Sequence, residues 1–104
     1  MTLEFFSKNY NLSDYEIINC EIKNNKLIID VKVVAYLELI ANGYRPEMNV
    51  NHEIQFSFNL NHDDYKFNNP IITNQEYKNG ILFITINDNI IKISDNCINI
   101  LQKE

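Results

Sequence analysis

Glycine is almost missing: Gly43 and Gly80 are the only two in 104 residues. A phosphate-cradling loop needs several closely spaced glycines, because the backbone must approach the phosphate with no Cβ in the way. That class of nucleotide site is excluded. Basic charge is equally thin, with one arginine, Arg45, and lysines scattered along the chain. A nucleic-acid binder needs a clustered basic footprint to neutralise phosphates, and an anionic membrane surface asks for the same. Neither partner is expected. No apolar run approaches the roughly 20 residues of a membrane-spanning helix. Met1-Thr2-Leu3-Glu4-Phe5-Phe6 lacks the basic start and long apolar core of a secretory leader. The expectation is a cytoplasmic protein, with its two cysteines, Cys20 and Cys97, as free thiols.

What is present is isoleucine and asparagine in quantity, within a chain that is 45% hydrophobic. That fraction argues against disorder, and the length suits one domain, residues 1–104, with one core. Isoleucine favours strands because its branched side chain packs on a pleated surface. Asparagine tolerates positive φ and so takes over the turns that scarce glycine leaves open. The formal charge of −5 means that any electrostatic steering favours a basic partner.

The patterning predicts a mainly β fold of about seven antiparallel strands, arranged as a small sandwich or barrel. A first hairpin, Tyr15 to Val34, turns at Asn24-Asn25 and pairs Lys23 with Lys26, Ile22 with Leu27, Cys20 with Ile29 and Ile18 with Val31. A middle hairpin alternates Ile54, Phe56, Phe58 and Leu60 with polar residues. It returns through Asn61-His62-Asp63-Asp64 so that Leu60 meets Tyr65 and Phe58 meets Phe67, with Pro70 ending regular pairing. Asn79-Gly80 is the strongest hairpin dipeptide and joins a strand near Ile72–Lys78 to a C-terminal three-stranded meander. Turns at Asp88-Asn89 and Asp95-Asn96 would align Ile86, Ile91 and Ile100 in one row and Ile84, Ile93 and Ile98 in the next, opposite a wet face of Thr85, Lys92 and Asn99. Residues 33–42 have both helical and strand character, with strand preferred for their β-branched first half. Leu3, Phe6 and Tyr10 share helical spacing, in a segment too short to choose helix over strand.

No catalytic constellation emerges, and no enzyme, metal or cofactor is expected. Metal ligation needs three or four converging groups. His52 and His62 are about 33 Å apart along an extended strand, and His62-Asp63-Asp64 reads first as a solvated turn. Cys20 falls on an apolar face as a buried thiol, and neither cysteine has a neighbouring base to activate it. Asp63 with Asp64, and Asp14 with Glu16, are neighbours in sequence rather than carboxylates facing across a cleft. The segment Asn42 to Asn49 is a long connection carrying Tyr44, Arg45, Glu47 and Met48, residue types that include the aromatic, arginine and methionine enriched at interfaces. It reads equally as an ordinary crossover loop. The candidate partner-binding residues are Tyr44, Arg45, Glu47, His62, Asp63 and Asp64.

Asn11-Leu12-Ser13-Asp14-Tyr15-Glu16-Ile17, followed by Lys26-Leu27-Ile28-Ile29-Asp30-Val31, resembles small bacterial immunity-type proteins, in which an Asp precedes a first strand and the second strand is of the LxIxI kind. The likeness covers about a fifth of the chain, and Ser13 stands where those proteins often carry His. The resemblance implies a cytoplasmic protein that binds and neutralises a toxin domain. Together with the acidic charge, it makes the first expectation a non-catalytic module for a basic toxin or nuclease. A phage-encoded inhibitor of a host nucleic-acid enzyme fits the same profile, and a small-ligand-binding β-barrel is the alternative of another class.

Overall fold

The computed structural model describes residues 1–34 and 51–103. It is a mainly β structure. After a short helix, α1 (Leu3–Asn9), and a single 3-10 turn (Leu12–Asp14) come β1 (Glu16–Lys23), β2 (Lys26–Val34), β3 (Asn51–Asn59), β4 (Tyr65–Lys66), β5 (Ile72–Lys78), β6 (Ile81–Ile86), β7 (Asn89–Ile93) and β8 (Ile98–Lys103). Two antiparallel sheets form: one of five strands in the order β4-β1-β2-β3-β8, one of three in the order β5-β6-β7. Their inner faces share one core, in which Cys20, Leu27, Ile29, Val31, Phe56 and Phe58 from the large sheet meet Leu82, Ile84, Ile86 and Ile93 from the small one.

Asparagine does the turning. Every non-glycine residue with positive φ among those described is asparagine except Asp88. Asn24 and Asn25 (φ 53° and 58°) close β1 onto β2, and Asn79 with Gly80 (φ 53° and 78°) closes β5 onto β6. Two consecutive left-handed residues twist with the strands they join. The register from the first turn matches expectation through Asn19↔Asp30 and then shifts, so that Ile17 rather than Ile18 sits opposite Val31. The bulge keeps Ile17 against the core and turns Ile18 out to 44% exposure. It also places Glu16 opposite Lys32, in a row that continues to Glu53. Opposite charges directly across strands favour this register over a slip.

Three expected pairings are corrected. Asn87-Asp88, not Asp88-Asn89, forms the turn between β6 and β7, which aligns Ile84 with Ile91 and Leu82 with Ile93. The displacement is two residues in pairing, so the buried face is unchanged. Its cause is Asn87, which stitches the turn to the preceding loop. Its Oδ1 accepts from the Ile71 N–H at 2.9 Å, its Nδ2 donates to the Asn68 carbonyl at 2.9 Å, and its own N–H donates to the Ile71 carbonyl at 3.0 Å. The C-terminal meander does not exist as a unit. At residues 94–97 the chain leaves the small sheet, and β8 pairs with β3, Phe58 opposite Ile98 and Phe56 opposite Ile100. The Asx turn at Asp95 (Oδ1 to Cys97 N–H, 2.8 Å) and the Asn96 side chain, which accepts from Leu3 N–H at 3.2 Å, hold this crossing. Finally, β4 pairs with β1, Tyr65 opposite Ile22, rather than with β3. The middle hairpin is therefore not a hairpin, although the alternation of β3 stands.

Residues 3–9 are helix, capped by the Thr2 hydroxyl accepting from Phe5 N–H at 3.1 Å. The helix exists to deliver Phe6, which is fully buried and lies edge-on to both Phe56 and Phe58 with ring centroids 5.2 Å apart. Beyond it, Gln75 donates to the Tyr10 carbonyl at 2.8 Å and accepts from Leu12 N–H at 2.9 Å, tying the N-terminal segment along β5. The expected strand over residues 33–42 is present as the end of β2 up to Val34, and the rest of it lies outside the described residues.

Candidate functional site: a cleft between two sheet edges

The edge of the small sheet, β7, and the edge of the large sheet, β4, face each other across a solvent-open cleft of about 360 Å³. Ile22 and Phe67 form its apolar floor; Tyr65, Ile90 and His62 stand around its mouth. The floor residues are buried, whereas Tyr65 is 53% and Ile90 62% exposed. Tyr65 is held over Phe67 in an edge-to-face contact with centroids 4.8 Å apart. An aromatic ring and a branched aliphatic side chain presented to water, on a rigid strand pair, are the kind of anchor a protein partner buries.

Local chemistry explains each position. Ile90-Ile91 is an apolar doublet in an alternating strand, so one member must face out. Pairing puts Ile91 on the core side with Ile93 and leaves Ile90 outside beside Thr85. The loop before β4 is pinned at both ends to the first hairpin. Leu60 N–H donates to the Asn25 carbonyl at 3.0 Å, and the Asp64 carboxylate accepts from Asn24 N–H at 3.1 Å. The Phe67 N–H then donates to the Cys20 carbonyl at 3.0 Å, continuing the attachment of this segment to β1. His62 Nδ1 lies 2.7 Å from the Asp63 carbonyl. A carbonyl only accepts, so Nδ1 carries the proton in this contact.

Among the candidate residues, His62 lines the cleft, Asp63 is an exposed carboxylate next to it, and Asp64 divides its role between surface charge and holding the hairpin tip. Tyr44, Arg45 and Glu47 lie outside the described residues. Tyr65 and Ile90 are the exposed apolar residues of the cleft that sequence reasoning did not single out. The doublet rule could have flagged Ile90, while Tyr65 was obscured by its expected pairing with Leu60.

Reactive chemistry is not gathered here. Among the described residues no three His, Cys, Asp or Glu side chains converge, and every buried side-chain polar atom has a hydrogen-bond partner. Asp30, almost buried on the outer face of the large sheet, receives Gln55 Nε2 at 3.0 Å and Asn19 Nδ2 at 3.5 Å. Burial pushes the Cys20 thiol up to about 12, with the carboxylates of Glu21 and Asp30 adding to the effect. No described helix is long and apolar enough to cross a membrane. Comparison with protein-family models, with curated proteins and with solved structures gave no match, so any functional reading of this chain rests on the cleft and its surroundings.

Proposed function

We propose that this chain is a non-catalytic binding module that neutralises a basic protein, in the manner of an immunity or inhibitor protein for a toxin or nuclease domain. The observation that carries the reading is the pair of solvent-facing anchors, Tyr65 and Ile90, at the mouth of an apolar-floored cleft with His62 on its rim and the exposed Asp63 next to His62 in sequence. The net charge of −5 supports a basic partner by steering encounter. The filled interior supports a surface role over an internal ligand site, because Phe6, Phe56 and Phe58 occupy the space between the sheets.

The test is titration calorimetry of the full chain against basic toxin and nuclease domains from its native host and that host's competitors. The reading expects a one-to-one complex with at least one of them, loss of that partner's activity on binding, and an association rate that falls with salt. Binding confined to acidic or neutral proteins, or a partner that keeps full activity in the complex, would overturn it.

A further inference from the structure

Resting on that reading, we infer that the partner is held by strand addition: an extended segment of it pairs with the bare edge of β7. The backbone carries the argument. The β6–β7 turn brings the Ile86 carbonyl to the Asn89 N–H, so Ile86 and Asn89 form a hydrogen-bonded pair. Antiparallel pairs alternate between bonded and non-bonded. Ile84↔Ile91 and Leu82↔Ile93 are therefore bonded pairs, and Thr85↔Ile90 and Phe83↔Lys92 are not. The N–H and C=O of Ile90 and Lys92 point away from β6, and among the described residues β7 has no second neighbour in its sheet.

The two edges of the small sheet are treated differently. Along β5 lies the N-terminal segment, fastened there by Gln75. Along β7, among the described residues, no second strand is paired, and Lys92 is the one charged residue of the strand. Natural sheets blunt or cover their edges because an open edge templates pairing with another chain; among the described residues this one has no paired strand and borders a cleft. The cleft lies where an added strand would run, between β7 and β4, and strand addition combines backbone hydrogen bonds with side-chain pockets. Ile90 on the outer face asks for an apolar residue opposite it, and Lys92 asks for a residue that is not basic. A basic residue of the partner then falls at the end of its segment beside the β6–β7 turn, where Asp88 stands exposed.

The probe is a terminally blocked peptide, Lys-Val-Thr-Val-Thr-Lys, added to the full chain and read by amide hydrogen exchange. In the free chain the Ile90 and Lys92 amides exchange rapidly while those of Ile91 and Ile93 are protected. With saturating peptide, Ile90 and Lys92 slow by about tenfold or more, and the same peptide N-methylated at alternate residues has no effect. Ile90→Pro removes an outward N–H together with the exposed Ile90 side chain, at a position edge strands allow; it keeps the β spectrum and loses peptide protection at Lys92. Lys92→Pro serves the same purpose if Ile90→Pro misfolds. Absence of protection at β7, or equal action of the N-methylated peptide, overturns the inference. Its failure is separable from that of the binding-module reading. A basic protein bound equally by wild type and Lys92→Pro refutes strand addition alone, whereas peptide protection of β7 with no basic protein bound refutes the partner assignment alone.

Discussion

Cys20 and Cys97 show how far one residue type can diverge within a single chain. Cys20 is fully buried opposite Ile29, and desolvation, then the nearby Glu21 and Asp30 charges, raise its thiol from the ordinary 9.0 to about 12. A thiol nucleophile acts as the thiolate, so Cys20 is inert at neutral pH, while Cys97 is exposed on the connection between the sheets. A thiol-reactive dye should label one cysteine in the native chain, Cys97, and two only after unfolding; rapid native labelling of Cys20 would contradict its burial. The same shift has a consequence for stability. The folded state holds the proton more tightly than the unfolded state, so the contribution is complete below pH 9 and is lost as pH rises from about 9 to 12. Denaturant midpoints should fall over that range, and a Cys20→Ala variant should show a shallower fall. Along β7, adjacent residues part in the same way. Ile93 is fully buried opposite Leu82, and Ile93→Ala should cost about 2–5 kcal/mol. Lys92→Ala, on the exposed face, should change urea midpoints little.

At the scale of the element, two of the turns and most of the strand faces were legible, and the other two turns and the strand partners were not. Alternation named the inward residues of β2, β3 and β6, and those of β1 from Cys20 onward, because a strand with one wet face must segregate its side chains at period two. Asn24-Asn25 and Asn79-Gly80 were legible because positive φ at two consecutive positions is open to few residues. The bulge at Ile18 was not, since an extra residue on one strand leaves no local mark. Nor was the departure of β8 to the other sheet, because Ile98 and Ile100 suit any sheet that offers an apolar face, and the Asx turn at Asp95 looks in sequence like a hairpin tip. The β6–β7 turn shows a long-range contact deciding between two turns of similar local merit. Asn87→Gly keeps the left-handed backbone and loses two side-chain hydrogen bonds, which should cost about 1–3 kcal/mol. Asn87→Ala loses the bonds and must also hold a φ of 47°, adding about 1 kcal/mol more. Urea unfolding of both variants checks the order; Asn87→Ala at least as stable as Asn87→Gly would mean that the latch and the φ do not act together.

For the whole molecule the question is what leaves two exposed apolar side chains, Tyr65 and Ile90, beside a cleft at the margin of the buried core. The sheets are unequal, five strands against three, and on one flank β4 and β7 leave a gap bordered by Tyr65 and Ile90. Part of this was legible: the His62–Asp64 loop was marked by its charge and position, but its neighbour across the cleft depends on a sheet pairing that lies about 25 residues away and leaves no trace in local pattern. Affinity and encounter should separate on this surface. Tyr65→Ala removes a half-exposed ring and should weaken the complex with the basic partner by about 2 kcal/mol, roughly thirtyfold, chiefly through faster dissociation. The double substitution Asp63→Asn with Asp64→Asn removes two charges while leaving an amide oxygen to accept from Asn24 N–H, so the hairpin tip stays fastened. Its effect should fall on association. Screening shortens the reach of surface charge from about 10 Å at 0.1 M salt to about 3 Å at 1 M. Stopped-flow rates of the variant should therefore lie below wild type at low salt and converge with it at high salt, with dissociation nearly unchanged. If the double variant instead dissociated faster and associated at the wild-type rate at every salt concentration, the two aspartates would be buried contacts rather than steering charges, and the footprint would have to be centred on their loop instead of on the cleft.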